Sequence, residues 1–286
     1  MKRSFAAAVA SAAGISFASG QRMVMFFSQT GSASWIGVLT ASVVFGIVCG
    51  AVRMGMDQTG AEDPGGVCVR GMGRRAGRLL GFLHVVILCA AAVMMISALG
   101  RLSELVLPVR NAKPMGMLFS VSLALILCMK GMRGFFCVCP WTLTVCLLYL
   151  TALTLDPREA PVRMHYETVS VLSGSVGAAV LLGMLCGALS GCIAGAVCVS
   201  GEEFSPVHLA LGCGSVMLLM LAAADAAILS GGEKLLSQPL PYVILAARWG
   251  KAGFYASVLS EGLASLTTLS AALGGLAGAF GRGRES

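Results

Sequence analysis

Charged residues that could do chemistry stand inside long apolar stretches of this sequence. Arg22, Asp225 and Glu261 each interrupt such a stretch. A charge at membrane depth is costly and usually faces a cavity or a partner, so each of the three is a candidate functional residue. The alternative for each is a side chain that extends to the membrane interface, or a buried pair with no further function.

A cluster of hydroxyl groups follows Glu261, in the segment "SLTTLS" at 265–270. In a membrane helix, Ser and Thr side chains most often donate to the backbone carbonyl one turn back. As a set on one helix, they also offer oxygen ligands to a hard cation such as Na⁺. The residues alone leave both interpretations open.

A glycine-rich polar segment, "AGISFASGQR" at 13–22, interrupts the first apolar stretch. Gly14 and Gly20 bracket Ser16, Phe17 and Ser19. Glycine and polar groups are unusual in the middle of a membrane helix, because lipid cannot satisfy exposed backbone groups. This segment therefore needs an explanation other than simple membrane crossing.

The elements that position these residues follow from the composition. The chain is 57% hydrophobic and 12% charged, with a mean hydropathy of +0.87, whereas soluble domains carry about a quarter charged residues. These values predict an all-α integral membrane protein. The net charge of +7 does not indicate a nucleic-acid partner, because the basic residues are not clustered with aromatic residues.

A hydropathy window predicts about eight transmembrane helices in a single polytopic domain covering residues 1–286. The predicted spans cover approximately residues 5–28, 35–56, 79–100, 115–130, 134–155, 168–200, 208–230 and 253–279. The segment 239–252 is amphipathic and too short to cross, and it predicts an interfacial or surface helix. A polar loop is expected at 57–78.

Basic residues predict the orientation. Lys2 and Arg3 precede the first span, the loop 29–34 has no basic residue, and the loop 57–78 has four arginines. Positive charge accumulates on the cytoplasmic side, so we expect a multi-pass protein of the cell membrane with a cytoplasmic N-terminus.

The remaining motifs are few. The 11 cysteines indicate neither a disulfide framework nor a metal site, and no enzyme signature is present, so we expect no enzyme and no cofactor. The sixth span has a glycine at every fourth position, which predicts a smooth helix-packing face. Its members are Gly183, Gly187, Gly191 and Gly195.

The first span carries a resemblance to a known family. The segment "GISFASGQRMVMFF" at 14–27 resembles the opening of YkvI-like bacterial membrane proteins, with "LPYVILAARWGKAGFYASVL" at 240–259 and the Thr-Thr pair at 267–268 as further similarities. That family is similar to the amino acid–polyamine–organocation superfamily of secondary transporters. Those proteins have a LeuT-like fold, an inverted repeat of five plus five helices.

The resemblance implies a first helix that is unwound in its middle, with substrate bound there and opposite it in the sixth span. The implied substrate-binding residues are Gly14, Ser16, Phe17, Ser19, Gly20, Gln21, Ser173 and Gly174. Thr267 and Thr268 would contribute to a Na⁺ site, and 239–252 would form an outer lid. The first repeat would occupy 1–155, and 156–286 would hold an incomplete, truncated second repeat of three helices.

These expectations favour a cation-coupled secondary transporter, driven by Na⁺ or H⁺, of a small organic solute such as an amino acid. The alternative is a non-transporting membrane scaffold or regulatory partner that retains the transporter-like fold. Arg22, which stands where the family pattern has an acid, and the shortened second repeat favour this alternative. The sequence does not predict the oligomeric state.

Overall fold

A computed structural model describes most of the chain as helices joined by turns. It describes residues 3–17, 20–61, 63–129, 131–155, 174–197, 205–230, 233–236, 238 and 240–281, and these ranges contain no β-strand. A 3₁₀ helix, Ser28–Ala33, joins the second helix to the third. The helices are α1 (Arg3–Phe17), α2 (Gln21–Phe26), α3 (Ser34–Thr59), α4 (Pro64–Met72), α5 (Arg74–Val106), α6 (Ala112–Met129), α7 (Gly131–Thr154), α8 (Val176–Gly195), α9 (Pro206–Ser230), α10 (Glu233–Leu236), α11 (Pro241–Ala247) and α12 (Gly250–Gly281).

Seven of the described helices are long and apolar enough to cross a membrane, namely α3, α5, α6, α7, α8, α9 and α12. The prediction of an all-α, multi-pass membrane protein is therefore confirmed. The number is seven instead of eight because the apolar stretch predicted as the first span is divided between α1 and α2. Its longest apolar helix, Phe5–Gly14, is shorter than the roughly 20 residues that a bilayer crossing needs.

Helix α3 illustrates how the helices divide their surface between lipid and protein. Large apolar side chains are exposed at every fourth position along one side, at Trp35, Leu39, Val43 and Ile47. The other side is buried, with Ala41, Phe45 and Cys49 fully inaccessible. Residues four apart share one face of a helix, so α3 presents one continuous apolar stripe outward. Such a stripe is suited to lipid.

Small residues bring α3 close to the two helices beside it. Gly183, Gly187, Gly191 and Gly195 of α8 lie against Gly37, Ala41, Val48 and Val52 of α3, respectively. A Cβ atom on Gly183 or Gly187 would overlap a backbone carbonyl of α3. Gly46 and Gly50 of α3 approach α9 in the same way, against Ala210. Backbones that approach this closely gain packing energy that lipid cannot supply.

Helix α12 packs against α1, α5, α7 and α11. Its buried side carries many polar residues among the apolar ones, namely Ser257, Ser260, Glu261, Ser265, Thr267, Thr268 and Ser270. Buried polar groups in a membrane protein require partners, because lipid offers none. Helix α12 is therefore the element around which a polar site can form.

Two predicted elements differ in extent from the structure. Helix α8 spans Val176–Gly195, within the longer span predicted at 168–200. Helix α11 spans Pro241–Ala247, within the predicted surface helix at 239–252. Five of its seven residues are buried, and Ile244 and Ala247 are the exposed ones. Helix α11 packs along α12, so most of its surface is covered by the bundle.

Candidate functional site

The contact between α1 and α12 is the centre of the candidate site. The backbone N–H of Gly14 donates to Thr268 Oγ1 at 2.9 Å, across 254 positions of sequence. A Cβ atom at position 14 would overlap the Thr268 hydroxyl and would lie 2.7 Å from the Ala264 carbonyl oxygen. Glycine at this position is what allows α1 to approach α12 so closely.

Thr267 adds a second polar contact between the same two helices. Its Oγ1 lies 3.1 Å from the carbonyl oxygen of Ala10 in α1 and 3.0 Å from that of Ala264 in α12. Thr268 Oγ1 also lies 3.0 Å from the Ala264 carbonyl oxygen. The carbonyl oxygen of Leu263 also lies 3.0 Å from Thr267 Oγ1. Two hydroxyl oxygens and three carbonyl oxygens therefore lie together where α1 meets α12, all of a type that binds hard cations.

About two helical turns before Thr267 and Thr268, Glu261 is fully buried. One of its carboxyl oxygens accepts from Ser257 Oγ at 3.2 Å. The other carboxyl oxygen, Oε2, has no hydrogen-bond partner among the described residues, and neither has Ser265 Oγ, one turn further along α12. A buried polar atom without a partner is rare in a folded protein and requires an explanation.

Asp225 lies in α9 and is also buried. Ser28, in the 3₁₀ helix after α2, donates to Asp225 Oδ1 at 2.6 Å, and Ser34 at the start of α3 also bonds to this carboxyl group. Asp225 therefore connects the chain just after α2 to α9. Unlike Glu261, it is well supplied with donors.

Two tyrosines connect α7, α9 and α11 beside these acids. Tyr149 donates its hydroxyl to the carbonyl of Tyr242 at 3.1 Å, and Tyr242 donates its own hydroxyl to the carbonyl of Ala224 at 3.3 Å. Tyr242 is fully buried. This chain of bonds fixes α11 against the bundle at the level of Asp225.

The segment between α1 and α2 turns at Gly20, which has a φ of 63°. Two residues later, the Arg22 guanidinium donates to the carbonyl oxygen of Gly14 at 3.3 Å. The last carbonyls of a helix lack intrahelical donors, and a basic side chain can bond to them. Gly14 therefore bonds to α12 through its N–H and to α2 through its carbonyl oxygen.

A cavity of about 270 Å³ opens beside this segment. Its polar lining consists of Gln21 and Arg22 from α2 and Ser97 and Arg101 from α5. The rest of the lining is apolar: Met25, Met94, Ala98, Leu102 and Leu240. The cavity thus combines two guanidinium groups with an apolar wall.

The implied substrate-binding residues are distributed as follows. Gly14, Gly20 and Gln21 lie near one another at the ends of α1 and α2, and Gln21 lines the cavity. Ser16 and Phe17 belong to α1, but their side chains, like Ser19 and Ser173 as a whole, lie outside the described part of the structure. Gly174 donates its N–H to the Thr30 carbonyl at 2.9 Å, which brings it to the 3₁₀ helix that follows α2.

Several residues of the site could not be identified from the sequence. Ser28, Tyr149 and Tyr242 are ordinary polar residues in sequence and gain their roles only from partners elsewhere in the chain. Ser257 bonds to Glu261 one turn along the same helix. Arg101 lies just beyond the end of the predicted span 79–100, so the sequence did not mark it as a charge at membrane depth. A search for tyrosines inside predicted spans could have found Tyr149.

Comparison with known proteins gives no relative: no protein-family model matches the sequence, and no curated protein matches it either.

Proposed function

We propose that this protein is a cation-coupled secondary transporter of a small organic solute. The observation that carries the proposal is the set of converging oxygen atoms between α1 and α12. Thr267 Oγ1 and Thr268 Oγ1 lie within 3.1 Å of carbonyl oxygens from one or both helices. Hydroxyl and carbonyl oxygens are the ligands that a hard cation takes from a protein.

The chemistry of these five oxygens suits Na⁺. A small hard cation between them would replace the hydroxyl-to-carbonyl hydrogen bonds with ion–oxygen contacts from both helices. Binding would therefore strengthen the contact of α1 with α12, whereas release would leave the threonine hydrogen bonds and the close packing at Gly14 to join them. A ligand that binds one arrangement better shifts the equilibrium toward it by that difference in affinity.

The course of the chain after Gly14 supports a solute site next to the ion site. Helix α1 ends at Phe17 and α2 begins at Gln21. We interpret α1 and α2 as the two halves of one broken helix, as in transporters whose unwound segments bind solute at mid-membrane. The backbone groups released there would bind the carboxylate or amine of a small solute.

The packing of α3 against α9 supports the LeuT-like arrangement within this proposal. With α1 and α2 counted as one helix, α3 is the second membrane helix of the first repeat, 1–155. Helix α9 is the second of the incomplete repeat, 156–286. These two helices pack closely through Gly46 and Gly50. A two-fold relation between the repeats would bring equivalent helices together in this way.

Glu261 offers H⁺ as the coupling ion in place of Na⁺. It is fully buried one to two turns before Thr267 and Thr268, and one of its carboxyl oxygens has no partner in the described structure. An acid inside a membrane domain can carry a proton if it is exposed to each side in turn. The two coupling ions therefore depend on different residues, which makes them separable by mutation.

The experiment titrates Na⁺ alone against the thermal unfolding of the purified protein, at constant ionic strength with K⁺ as the replacement. If Na⁺ binds only the folded state, a Na⁺ concentration of about 100 times its Kd raises the free energy of unfolding by about 2.7 kcal/mol. We expect Na⁺ to raise the unfolding temperature of the native protein and of Thr144→Val. Thr144 is exposed and donates only to the carbonyl of Pro140 in its own helix, so this variant is the matched control.

Thr267→Val and Thr268→Val should remove the Na⁺ response. If the native protein shows no response to Na⁺, uptake of amino acids into proteoliposomes under a pH gradient tests coupling to H⁺. In that assay, Glu261→Gln should abolish the accumulation of amino acids. A protein that responds to neither ion and accumulates no solute would contradict the transporter proposal and favour the non-transporting scaffold.

A further inference from the structure

The cavity between α2 and α5 carries two positive charges and no negative one. Arg22 and Arg101 both line it, and none of its nine lining residues, all within the described ranges, is an acid. Among the described residues, no hydrogen bond or ion pair involves the Arg101 guanidinium. Two guanidiniums beside an apolar wall repel each other, and an anion between them would relieve that repulsion.

We propose that Arg22 and Arg101 bind the carboxylate of a small organic anion in this cavity. A guanidinium presents paired N–H donors in a fixed planar arrangement that matches the two oxygens of a carboxylate. Arg22 is partly buried, whereas Arg101 is exposed, and both line the cavity. The two side chains therefore approach a bound anion from different helices, α2 and α5.

The remaining lining indicates what kind of carboxylate fits. Met25, Met94, Leu102 and Leu240 give the cavity an apolar wall, and Gln21 and Ser97 add uncharged hydrogen-bonding groups. A volume of about 270 Å³ is at the lower end of small-molecule sites. An anion with a short aliphatic body matches this combination of charge, size and apolar surface.

The position of the cavity links it to the proposed transport function. Gln21 and Arg22 begin α2, immediately after the segment that separates α2 from α1. The inference rests on the proposed function in one respect, since it names organic carboxylates as the solute class. The binding itself does not require transport, so it can be tested without a gradient.

The test measures binding of isovalerate by isothermal titration to the full-length protein in nanodiscs of neutral lipid, in choline buffer without Na⁺. The uncharged isostere isovaleramide has the same shape and serves as the ligand control. We expect isovalerate to bind at least about tenfold more tightly than isovaleramide, a difference of about 1.4 kcal/mol.

Arg101→Gln should weaken isovalerate binding at least about tenfold, and Arg22→Lys, which keeps the charge but loses the paired donors, should weaken it to a smaller degree. Arg110→Gln is the matched control, because Arg110 is exposed beyond the end of α5 and does not line the cavity. Arg101 is exposed, so its variant is expected to fold even if changes at Arg22 disturb the end of α1.

Three results would overturn the inference: equal binding of isovaleramide, unchanged binding to Arg101→Gln, or binding of inorganic phosphate in preference to isovalerate. The failure of transport has a different signature. Isovalerate binding that depends on Arg101, in a protein that responds to no ion and accumulates no solute, supports the anion site and contradicts the transporter.

Discussion

At the scale of single residues, Gly14 is the point where three elements meet. Its N–H donates to Thr268 of α12, and its carbonyl oxygen accepts from Arg22 of α2. Both backbone groups of one residue are therefore committed to side chains of other helices. A change at Gly14 should disturb the α1–α12 contact and the position of Arg22 together.

Gly14→Ala should destabilise the protein, because its Cβ atom would overlap the Thr268 hydroxyl and lie 2.7 Å from the Ala264 carbonyl oxygen. Overpacking of this kind typically costs about 1–3 kcal/mol. Gly262→Ala is the control, since a Cβ atom there meets nothing within 4 Å and a helix gains up to about 1 kcal/mol from the change. Thermal unfolding in detergent measures both, and equal unfolding temperatures would contradict the close contact.

Ser28→Ala should destabilise the protein by removing the donor that lies 2.6 Å from Asp225 Oδ1. A buried acceptor that loses its donor costs about 1–3 kcal/mol. Ser215→Ala is the matched control in the same helix as Asp225, because Ser215 is exposed and donates only to the Leu211 carbonyl. A Ser28 variant as stable as the Ser215 variant would mean that Asp225 does not depend on this bond. Asp225→Asn provides a second check, since its amide can still bond to Ser28.

The sequence identified Gly14, Thr268, Asp225 and Glu261 as unusual because a glycine or a polar group in an apolar stretch is visible without a structure. It could not identify their partners. Ser28 and Asp225 are 197 positions apart, and no local pattern relates them. For Arg22, an acidic partner was one expected explanation. The guanidinium donates to the backbone carbonyl of Gly14, and a carbonyl at a helix end leaves no mark in the sequence.

At the scale of elements, the interface of α3 and α8 depends on the absence of side chains. Gly187→Val should destabilise the protein, because even a Cβ atom at this position would overlap the Ala41 carbonyl and lie 3.0 Å from Val44 Cβ. The helices would have to separate along much of their length, and we expect this to lower the stability of the protein by at least about 2 kcal/mol. Gly177→Val, in the first turn of the same helix with nothing within 4 Å, is the control. Equal thermal stability of the two variants would contradict the packing.

The turn between α1 and α2 depends on backbone conformation as well as packing. Gly20→Ala should be destabilising because φ is 63° and a Cβ atom would lie 3.0 Å from Pro241 Cδ. Gly250→Ala separates the two effects, since Gly250 has a φ of 71° with nothing within 4 Å. We expect the left-handed conformation to cost about 1–2 kcal/mol of stability in both variants. Only Gly20→Ala should lose additional stability, through the contact with Pro241. Denaturation in detergent measures the difference, and an equal loss would exclude a tight contact with α11.

Most membrane helices could be predicted from the sequence because hydropathy reports them directly. The predicted spans at 35–56, 79–100 and 208–230 lie within α3, within α5 and within α9. Helix α4 was missed and predicted as a loop, because its nine residues are too few to cross a membrane and include Pro64 and three glycines. A signal was present: Asp63 accepts from the Gly66 N–H as an N-cap, and Pro64 opens the helix.

At the scale of the whole molecule, the contrast between the loop 29–34, which has no basic residue, and the segment 57–78, which has four arginines, predicts the orientation of α5. Arg74, Arg75 and Arg78 lie at its N-terminal end, and Arg110 and Lys113 lie beyond its C-terminal end, about 50 Å away for a helix of 33 residues. We expect the first end to be cytoplasmic. Alkaline phosphatase fused after Arg78 should therefore be inactive, and the enzyme fused after Asn111 should be active.

β-Galactosidase fusions at the same two positions are the controls, because they should give the reverse pattern. An active phosphatase after Arg78 would invert the proposed orientation, including the cytoplasmic N-terminus.

The packing of α3 between α8 and α9 has a consequence for biosynthesis. Helix α3 is complete when the ribosome passes Thr59, but α8 is complete only at Gly195 and α9 at Ser230. At about 5–20 residues per second, the intervening chain takes on the order of ten seconds to synthesise. During that interval α3 is in the membrane without either neighbour. The side of α3 that packs against the glycines of α8 is then exposed to lipid or to a membrane chaperone. In a nascent-chain crosslinking experiment, α3 should therefore be the first helix that crosslinks to lipid or to such a chaperone.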